Sequence, residues 1–394
     1  MALATIVLSI LALPAVFSCG YLLLLTLLSA KPRPVRAPTT RTRFDVIVPA
    51  HNEVGVIART VKNLRRLDWP KGRFRVLVIA DNCTDDTATV ARAAGAEVIE
   101  RSDAQRRGKG YALEFAFQIS RAQALSDAVV VVDADAEASP NLLQAFAARI
   151  EQGAAAVQAH YGVLNPWSSW RTRLITIAKA AFHIVRSRAR ERLGVSSGIR
   201  GNGWCVTHEL LARVPYRAYS LTEDLEYGID LGLAGYRVHY ADEAHADAEM
   251  VSSARTARRQ RQRWEDGRFH LIRSKTRPLL LASLRTRSRV CLDLALDLLV
   301  LPLSYVTLNV VVLLLATAAA SHWSASLTAW FWCALACAAG LLIHVLRGWQ
   351  LSGLGLRGLA DLAGAPIFLI WKVTLMLSHR DSRGWVRTER EHQG

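Results

Sequence analysis

The chain has 394 residues, of which 51% are hydrophobic and 21% are charged, and its formal net charge is +16. This length allows roughly two to three domains, or one domain with membrane segments, and the composition excludes a disordered, collagen-like or disulfide-scaffold protein. The six cysteines form no C-x-x-C pair, so no structural zinc site is expected, and the positive charge indicates nucleic acid, an anionic membrane surface or phosphorylated substrates as partners.

Two apolar regions predict membrane-spanning helices. Residues 1–30 are predicted to be a transmembrane anchor, because 2–30 carry no ionisable side chain except Cys19 and Tyr21. A cleaved signal peptide is the alternative, but the stretch lacks a basic start and its apolar run is too long. Residues 298–346 predict a transmembrane hairpin of two spans joined by an uncharged turn.

Positive charge sets the predicted orientation. Lysines and arginines crowd the linker 31–43 and the C-terminal tail, and cytoplasmic flanks of membrane helices carry such an excess. We therefore expect residues 31–297 and the C-terminus in the cytoplasm. Charged residues interrupt the apolar stretch 354–378, so 347–394 are predicted to be an interfacial or re-entrant helix with a basic cytoplasmic tail. This distribution explains most of the net charge without nucleic acid, for which no binding motif is present.

The middle of the chain alternates short apolar runs with segments of helical periodicity. Strands are predicted at residues 44–48, 74–80, 97–99, 128–132 and 154–159. Helices are predicted at residues 53–67, 84–94, 111–124 and 140–150. The alternation predicts an α/β domain with a mainly parallel, doubly wound sheet, in which ligands bind at the carboxyl ends of the strands. Residues 168–193 predict a basic helix with a solvated face.

Polar side chains follow three of the predicted strands. Pro49 and Glu53 follow the first, Asp81 ends the second, and Asp133 and Asp135 follow the fourth. No G-x-G-x-x-G follows the first strand, which argues against a dinucleotide-binding enzyme. Carboxylates at two strand ends instead indicate a metal-bridged nucleotide, because acidic side chains do not face a pyrophosphate without a cation between them.

Four motifs in a fixed order carry a family resemblance. They are Asp81, Asp133-x-Asp135, Thr222-Glu223-Asp224 and Gln260-x-x-Arg263-Trp264. With them the chain resembles membrane-bound inverting glycosyltransferases of family 2, in the branch of the cellulose, hyaluronan and poly-N-acetylglucosamine synthases. The resemblance covers residues 44–275 and implies a cytoplasmic GT-A domain, which is Rossmann-like with a mostly parallel sheet. An interfacial segment at 276–297 would then lead to the membrane hairpin.

The resemblance implies a nucleotide site at the strand ends. Asp81 matches the aspartate that contacts the base and ribose, although a strand-terminal turn is the alternative. Pro49 and Glu53 lie in an opening of the P-x-x-N-E type that faces the nucleoside, although Glu53 also suits the first turn of a helix. Lys109 lies where the family places a lysine near the donor, and a solvated surface lysine is its alternative.

The D-x-D motif implies a metal site, and the T-E-D motif implies a catalytic base. Asp135 should bind Mg²⁺ or Mn²⁺ at the donor diphosphate, and Asp133 should assist or hold the ribose. An ordinary acidic strand-to-helix turn is the alternative. Asp224 is the expected base, because an acceptor hydroxyl must lose its proton as it attacks. A helix N-terminus is also predicted there and is compatible with this role.

The Q-x-x-R-W motif and a glycine-rich loop complete the implied site. Gln260 and Arg263 share one face of a helix, where Arg263 should contact the diphosphate and Trp264 the acceptor sugar. A basic amphipathic helix on the membrane surface is a compatible interpretation. Three further residues are assigned to the acceptor side: Glu223, Asn202 and Gly203. A plain glycine-rich turn is the alternative for the last two.

The resemblance implies inverting, metal-dependent transfer of a sugar from a nucleoside-diphosphate donor, a UDP-sugar in the first instance. The acceptor would be a membrane-associated glycan or a lipid-linked molecule in exopolysaccharide or cell-envelope synthesis at the inner membrane. Export or polymerisation proteins are further expected partners. Three alternatives stay open: a processive polysaccharide synthase, a ceramide-glucosyltransferase-like enzyme, and an inactive membrane scaffold. The missing gating-loop motif F-x-V-T-x-[KR] and the few predicted spans argue against the processive form.

Overall fold

The computed structural model describes residues 2–250 and 254–364, which divide into two units. A helical unit contains residues 2–30, 167–189 and 296–364. A sheet unit contains the remaining described residues, 31–166 and 190–295 without 251–253. The greater part of the predicted interfacial stretch at 354–378 lies outside the described residues.

The described residues of the two units contain fourteen α-helices and eight strands, which alternate through most of the sheet unit. The helices are α1 (Ala2–Leu27), α2 (Ile57–Leu64), α3 (Thr87–Ala93), α4 (Lys109–Gln123), α5 (Leu142–Ile150), α6 (Trp170–Lys179), α7 (Arg186–Leu193), α8 (His208–Arg213), α9 (Glu223–Leu233), α10 (Ala254–Thr286), α11 (Arg289–Leu299), α12 (Leu303–Trp323), α13 (Thr328–Ser352) and α14 (Gly355–Leu362). The strands are β1 (Phe44–Ala50), β2 (Phe74–Asp81), β3 (Glu97–Arg101), β4 (Ala128–Val131), β5 (Ala136–Ala138), β6 (Ala156–His160), β7 (Trp204–Thr207) and β8 (His239–Ala248). A π-helical stretch, Ala180–Val185, joins α6 to α7.

The strands form one sheet in the order β3-β2-β1-β4-β7-β6-β8-β5. The first four of these are parallel, and β6 is parallel to β8. In contrast, β7 is antiparallel to both β4 and β6, and β5 is antiparallel to β8. The predicted α/β class with a mostly parallel sheet is therefore confirmed, and every predicted strand is present. The strands β5, β7 and β8 were not predicted.

Burial explains which strands the sequence reveals. The strands β1, β2 and β4 are covered on both faces, and residues such as Ile47, Leu77 and Val130 are fully buried. Strands buried on both faces are continuous apolar runs, which stand out in a sequence. By contrast, β8 mixes alanines with histidine and acidic residues, and its burial alternates only in part. Its hydrophobic pattern is therefore too weak to predict a strand.

The helical unit contains three helices that are long and apolar enough to cross a membrane. They are Thr5–Leu27, Leu303–Trp323 and Ala325–Ser352. Their inward faces form one apolar cluster that includes Leu22, Leu313 and Leu341. These helices coincide with the apolar regions predicted at 1–30 and 298–346, although the last one continues to Ser352.

The basic helix predicted at 168–193 was expected to present a solvated face, and this prediction is wrong. Arg173, Lys179 and Arg186 are all buried within the helical unit. Arg173 forms a two-point ion pair with Asp361, and Arg186 pairs with Asp297. A buried charge is costly unless it is paired, and these partners lie 188 and 111 positions away along the chain.

We expect Asp297→Leu to destabilise the protein. Asp297 is 3% exposed and pairs with Arg186, so its removal leaves a cation in a buried position. Breaking a buried pair in this way typically costs about 3–5 kcal/mol. Thermal unfolding of detergent-purified protein measures the effect as a lower midpoint. The double variant Arg186→Met with Asp297→Leu should recover most of the loss, and an unchanged midpoint in the single variant would contradict the structural role.

Candidate active site

The loops that follow β1 and β2 are tied to each other. His51 Nδ1 lies 2.7 Å from the carbonyl oxygen of Asp81, and the Thr84 N–H donates to Asn52 Oδ1 at 2.7 Å. Asn52 and Asn82 adopt left-handed backbone with φ of 56° and 49°, which asparagine tolerates better than most residues. The polar ends of these two strands therefore lie together at one edge of the sheet, as expected for parallel strands.

Asp81 is buried at the end of β2 and is already paired. Its Oδ1 accepts hydrogen bonds from Arg101 Nη1 at 2.5 Å and from Asn82 Nδ2 at 3.0 Å. Arg101 ends β3 and also donates to Asp103 at 3.0 Å. Arg101 was not predicted as a site residue, although its place at the end of a predicted strand was an available signal. The hydrogen bond from Asn82 agrees with the strand-terminal turn that was the alternative interpretation of Asp81. This turn is compatible with a nucleotide-binding role of the same side chain.

Pro49 and Glu53 are half-buried, Pro49 near the end of β1 and Glu53 in the loop that follows it. The Glu53 N–H donates to Thr87 Oγ1 at 2.7 Å, and the Glu53 carbonyl accepts from Val56 and Ile57. Glu53 therefore lies in the turn that leads into α2, just before its first helical turn. A carboxylate at a helix start can also face a ligand, so the two interpretations are compatible.

Both carboxylates of the D-x-D motif are accessible at the end of β4. Asp133 and Asp135 are half-exposed, whereas Val132 and Ala134 on either side of Asp133 are buried. The strand itself does not continue through the motif, because β4 ends at Val131 and the Ala136 N–H donates to the Asp133 carbonyl at 3.1 Å in a turn. The Asp133 N–H donates to Asn202 Oδ1 at 2.9 Å, which fixes the backbone of the motif.

Asn202 and Gly203, predicted on the acceptor side, directly precede β7 and are tightly packed. Asn202 is 0% exposed, and its amide Nδ2 donates to the Ala246 carbonyl at 3.4 Å while its Oδ1 holds Asp133. Gly203 has a φ of +69°, and a Cβ there would lie 2.7 Å from that of Ala246. The Asn202 side chain therefore helps to position the D-x-D motif, and its acceptor-side role stays a prediction.

Lys109 connects the D-x-D motif to the first turn of α9. Its Nζ lies 2.6 Å from Asp133 Oδ1 and 3.5 Å from Glu223 Oε1. Burial acts against the charge, but these carboxylates outweigh it and raise the pKa of Lys109. Gly110 allows the start of α4 to approach, because a Cβ there would lie 2.3 Å from the Ala218 carbonyl oxygen. Lys109 is therefore not the solvated surface lysine of the alternative interpretation.

Asp224 lies in the first turn of α9, directly after Glu223. Burial, reinforced by the charge of Glu223, raises the pKa of Asp224 to about 7, while Lys109 acts in the opposite direction. Its Oδ2 lies 3.7 Å from the position that a Cβ would take on Gly201. A carboxyl group with this pKa is suited to accept a proton near neutral pH.

Tyr161 lies among the acidic residues and was not predicted. It directly follows β6, and its ring lies 2.9 Å from the position of a Cβ on Gly201, on the same side as Asp224. Burial and the carboxylates of the D-x-D motif and Asp224 raise the pKa of Tyr161, whereas Arg263 opposes them. Its position after a predicted strand was the signal available in the sequence.

The helix α10, which contains the Q-x-x-R-W motif, packs against α9, whose first turn contains Glu223 and Asp224. Gly267 permits this approach, because a Cβ there would lie 2.6 Å from Thr222 Cγ2. Farther along, Lys275 Nζ lies 2.6 Å from Asp230 Oδ1. These two contacts, about two helical turns apart along α10, therefore fix it against the helix that begins at Glu223.

The three motif residues of α10 differ in their surroundings. Gln260 is half-buried, and Trp264 is 37% exposed. Arg263 is half-buried, and within residues 2–250 and 254–364 its buried Nε makes no hydrogen bond. A guanidinium N–H left without a partner is suited to an anionic ligand, for which arginine offers bidentate geometry.

The D-x-D carboxylates suit Mg²⁺ or Mn²⁺ on donor chemistry. Mg²⁺ in nucleotide sites is held by one or two carboxylates, and substrate phosphates and waters supply the other oxygen ligands. Asp133 and Asp135 offer two half-exposed carboxylates, one residue apart. Among the described residues no group of three or more His, Cys, Asp or Glu forms a cage, so the donor would have to complete the coordination.

We expect any reaction that uses Asp224 as its base to slow as the pH is lowered through about 7. Asp224 accepts a proton only when it is ionised, and with a pKa of about 7 its ionised fraction drops to about a tenth one pH unit below that value. The measurement is kcat/KM over about two pH units on either side of neutrality. An inflection near the ordinary aspartate pKa would contradict the assignment, and Asp224→Asn should lose the inflection altogether.

The mixed sheet, the acidic strand ends and the docked α10 define a GT-A glycosyltransferase. The family described as "Glycosyltransferase like family 2" matches residues 41–267, and the chain belongs to this family. The resemblance, the fold class and the class of enzyme inferred from the motifs are thereby confirmed.

Two curated relatives and one solved structure illustrate the similarity. The chain is 28% identical over 232 residues to beta-monoglucosyldiacylglycerol synthase of Nostoc sp., covering 57% of this chain and 48% of that protein. It is 25% identical over 241 residues to the probable glycosyltransferase YdaM of Bacillus subtilis, covering 58% and 56%. The chain thus spans about half the length of the curated relatives it matches.

The structure of mannosyltransferase PcManGT from Pyrobaculum calidifontis, in complex with GDP-Man and Mn²⁺, shares the fold. The two superimpose with a TM-score of 0.50 at 21% identity, covering 86% of this chain and 98% of that one. At this identity the similarity extends to the fold alone.

Proposed function

We propose that this protein transfers a sugar, with inversion, from a nucleoside-diphosphate donor to a membrane-associated glycan or lipid-linked acceptor. The observation that carries the proposal is the Lys109 amine, 2.6 Å from Asp133 and 3.5 Å from Glu223. This contact ties the D-x-D motif to the helix turn that bears Asp224. A donor held at the motif and an acceptor held at Asp224 would therefore meet at one place.

The donor in this proposal is a nucleoside-diphosphate sugar, and a UDP-sugar is the first choice. Asp81, Pro49 and Glu53 would face the nucleoside, and Arg263 would contact the diphosphate. Asp135 with Asp133 would hold Mg²⁺ or Mn²⁺. When bound, the divalent ion neutralises charge on the leaving diphosphate. PcManGT binds GDP-Man and Mn²⁺, so GDP-sugars are the competing donors to test.

The proposed reaction is a single displacement at the anomeric carbon. Asp224 accepts the proton of the acceptor hydroxyl while that oxygen forms its bond to the anomeric carbon. The bond between this carbon and the diphosphate oxygen breaks in the same step, and the electron pair leaves with the nucleoside diphosphate. The configuration at the anomeric carbon inverts because attack and departure occur on opposite faces. Trp264 would offer its exposed ring to the acceptor.

A lipid acceptor is the second form of the proposal. It is supported by the Nostoc relative, which is named as a beta-monoglucosyldiacylglycerol synthase. Three candidate spans would keep the enzyme beside such an acceptor. The lipid form and the glycan form differ only in the molecule that delivers the hydroxyl group to Asp224.

The test is product analysis with purified protein. Labelled UDP- and GDP-sugars are incubated with a diacylglycerol-type lipid or with a glycan, and the product is sized and its anomeric configuration determined. We expect one or very few sugars per acceptor with inverted configuration, because the three candidate spans among residues 2–250 and 254–364 leave little room for a polar conduit. A long polymer ladder would favour a processive synthase. No turnover with any donor would favour an inactive scaffold.

We further propose a multi-pass protein of the inner membrane with the sheet unit in the cytoplasm. Topology reporters placed at residues 35, 350 and 394 should read cytoplasmic, because basic residues surround each position. A reporter at 323 should read outside, since Trp323 ends α12. An external C-terminus would mean that 354–378 crosses the membrane and would overturn this orientation.

A further inference from the structure

Two tryptophans, one just before α6 and one at its first residue, are bordered by arginines. The Arg173 and Arg357 guanidinium carbons lie 5.9 and 6.0 Å from the centre of the Trp167 ring, so two cations lie near this indole. Arg171 lies 5.5 Å from the ring centre of Trp170. Distances within about 6 Å allow cation–π attraction. All five residues belong to the helical unit.

This group lies at the level where the third candidate span ends. The span finishes at Ser352, Gly353 closes α13 with a φ of +72°, and Arg357 follows in α14. Leu356, next to Arg357, is 79% exposed, and Trp167 is 55% exposed. Exposed tryptophan and leucine beside arginine is the composition of a helix surface at a membrane interface.

The charges of the group do not cancel. Arg173 is engaged by Asp361, with Nη2 and Oδ1 at 3.2 Å, and this arginine lowers the pKa of the Asp361 carboxyl group. That pair anchors α14 against α6. Arg171 and Arg357 are exposed and, within residues 2–250 and 254–364, form no ion pair. Arg357 shares Asp361 with Arg173, since both arginines lower the pKa of that carboxyl group, so three arginines beside the tryptophans face one described carboxylate.

We propose that Arg171, Arg357, Trp167 and Trp170 form a binding site for the phosphate headgroup of an anionic lipid. The arginines would contact the phosphate, and the tryptophans with Leu356 would contact the acyl-chain boundary. A soluble phosphate ester would match the arginines but would gain nothing from the exposed apolar side chains. The inference rests on the proposed membrane placement and is independent of the proposed sugar transfer.

The test measures lipid binding to the full-length protein in detergent by native mass spectrometry. Phosphatidylglycerol and phosphatidylcholine are titrated against the wild type and against Arg171→Gln with Arg357→Gln. A basic side chain near an anionic surface strengthens binding about fivefold, so we expect about 25-fold weaker phosphatidylglycerol binding in the double variant. Arg171→Lys with Arg357→Lys keeps the charge and should retain most of the binding.

Arg121→Gln with Arg213→Gln is the matched control, because both arginines are exposed on the sheet unit. It should bind phosphatidylglycerol as the wild type does. All variants are compared at equal thermal midpoints, which is attainable because neither Arg171 nor Arg357 is buried. Unchanged phosphatidylglycerol binding in the glutamine variant would overturn the site. Equal binding of phosphatidylcholine, or equally effective displacement by glycerol 3-phosphate, would overturn the assignment to an anionic lipid.

Discussion

Asp224→Asn is expected to slow sugar transfer by about 10²–10⁴-fold while donor binding is retained. The substitution keeps the size of the side chain and removes the group that accepts the proton. Asp224 is also the carboxyl group whose pKa is raised to about 7, so it is the residue best matched to proton transfer at neutral pH. Turnover is measured by release of nucleoside diphosphate, and donor binding by calorimetry with a non-hydrolysed nucleotide.

The control for this variant is Asp127→Asn. Asp127 precedes β4 and bonds to Arg43, at the opposite end of the strand from the D-x-D motif. The Asp127→Asn variant should turn over at the wild-type rate. If Asp224→Asn kept near-normal turnover, another residue would have to be the base, and Glu223 would be the next to test. A simultaneous loss of donor binding would instead indicate that the variant disturbs the contact between Lys109 and Asp133.

Chelation of divalent metal is expected to abolish transfer, and Mg²⁺ or Mn²⁺ should restore it. Asp135→Ala should act like chelation, because it removes one of the two half-exposed carboxylates that follow β4. A bound ion would contribute several kcal/mol of charge stabilisation, so a loss of at least about 10²-fold is expected. Electron paramagnetic resonance of Mn²⁺ with nucleoside diphosphate gives a readout that does not depend on activity.

Asp127→Ala serves as the matched control for Asp135→Ala and should bind Mn²⁺ as the wild type does. Full activity in excess EDTA would overturn the metal assignment. In that case protein cations would have to neutralise the charge of the leaving group. Lys109, which contacts Asp133, and Arg263, which acts on Tyr161, are the candidates.

Several elements could be predicted because their information is local. The strands at Phe44–Ala50 and Phe74–Asp81 are continuous apolar runs, since both faces of the sheet are covered there. The carboxylates that end or follow such runs were predicted to meet at one edge, because parallel strands share a carboxyl-terminal end. The apolar membrane segments needed only length and the absence of charge. The family motifs added the expected roles, which stay predictions until variants are measured.

Long-range pairing explains what the sequence did not reveal. Asn202 holds the backbone of Asp133 from 69 positions away, although its sequence context suggested only a glycine-rich loop near the acceptor. Tyr161 and Arg101 join the site because β6 and β3 end there, and neither stands in a marked motif. Strand β8 pairs with β6 although its own composition is mixed and polar. Its strand conformation therefore follows from pairing with β6 and not from a local hydrophobic pattern.

The sequence by itself determined the fold class, the three candidate spans and the residues of the acidic strand ends. Only the tertiary structure decided which charges are buried and which are available. Arg173 and Arg186 look as exposed in the sequence as Arg171 and Arg357, yet the first two are buried against Asp361 and Asp297. The reason is physical: hydrophobic periodicity is read over a few residues, whereas the partner that makes a buried charge tolerable is brought in from a distant part of the chain.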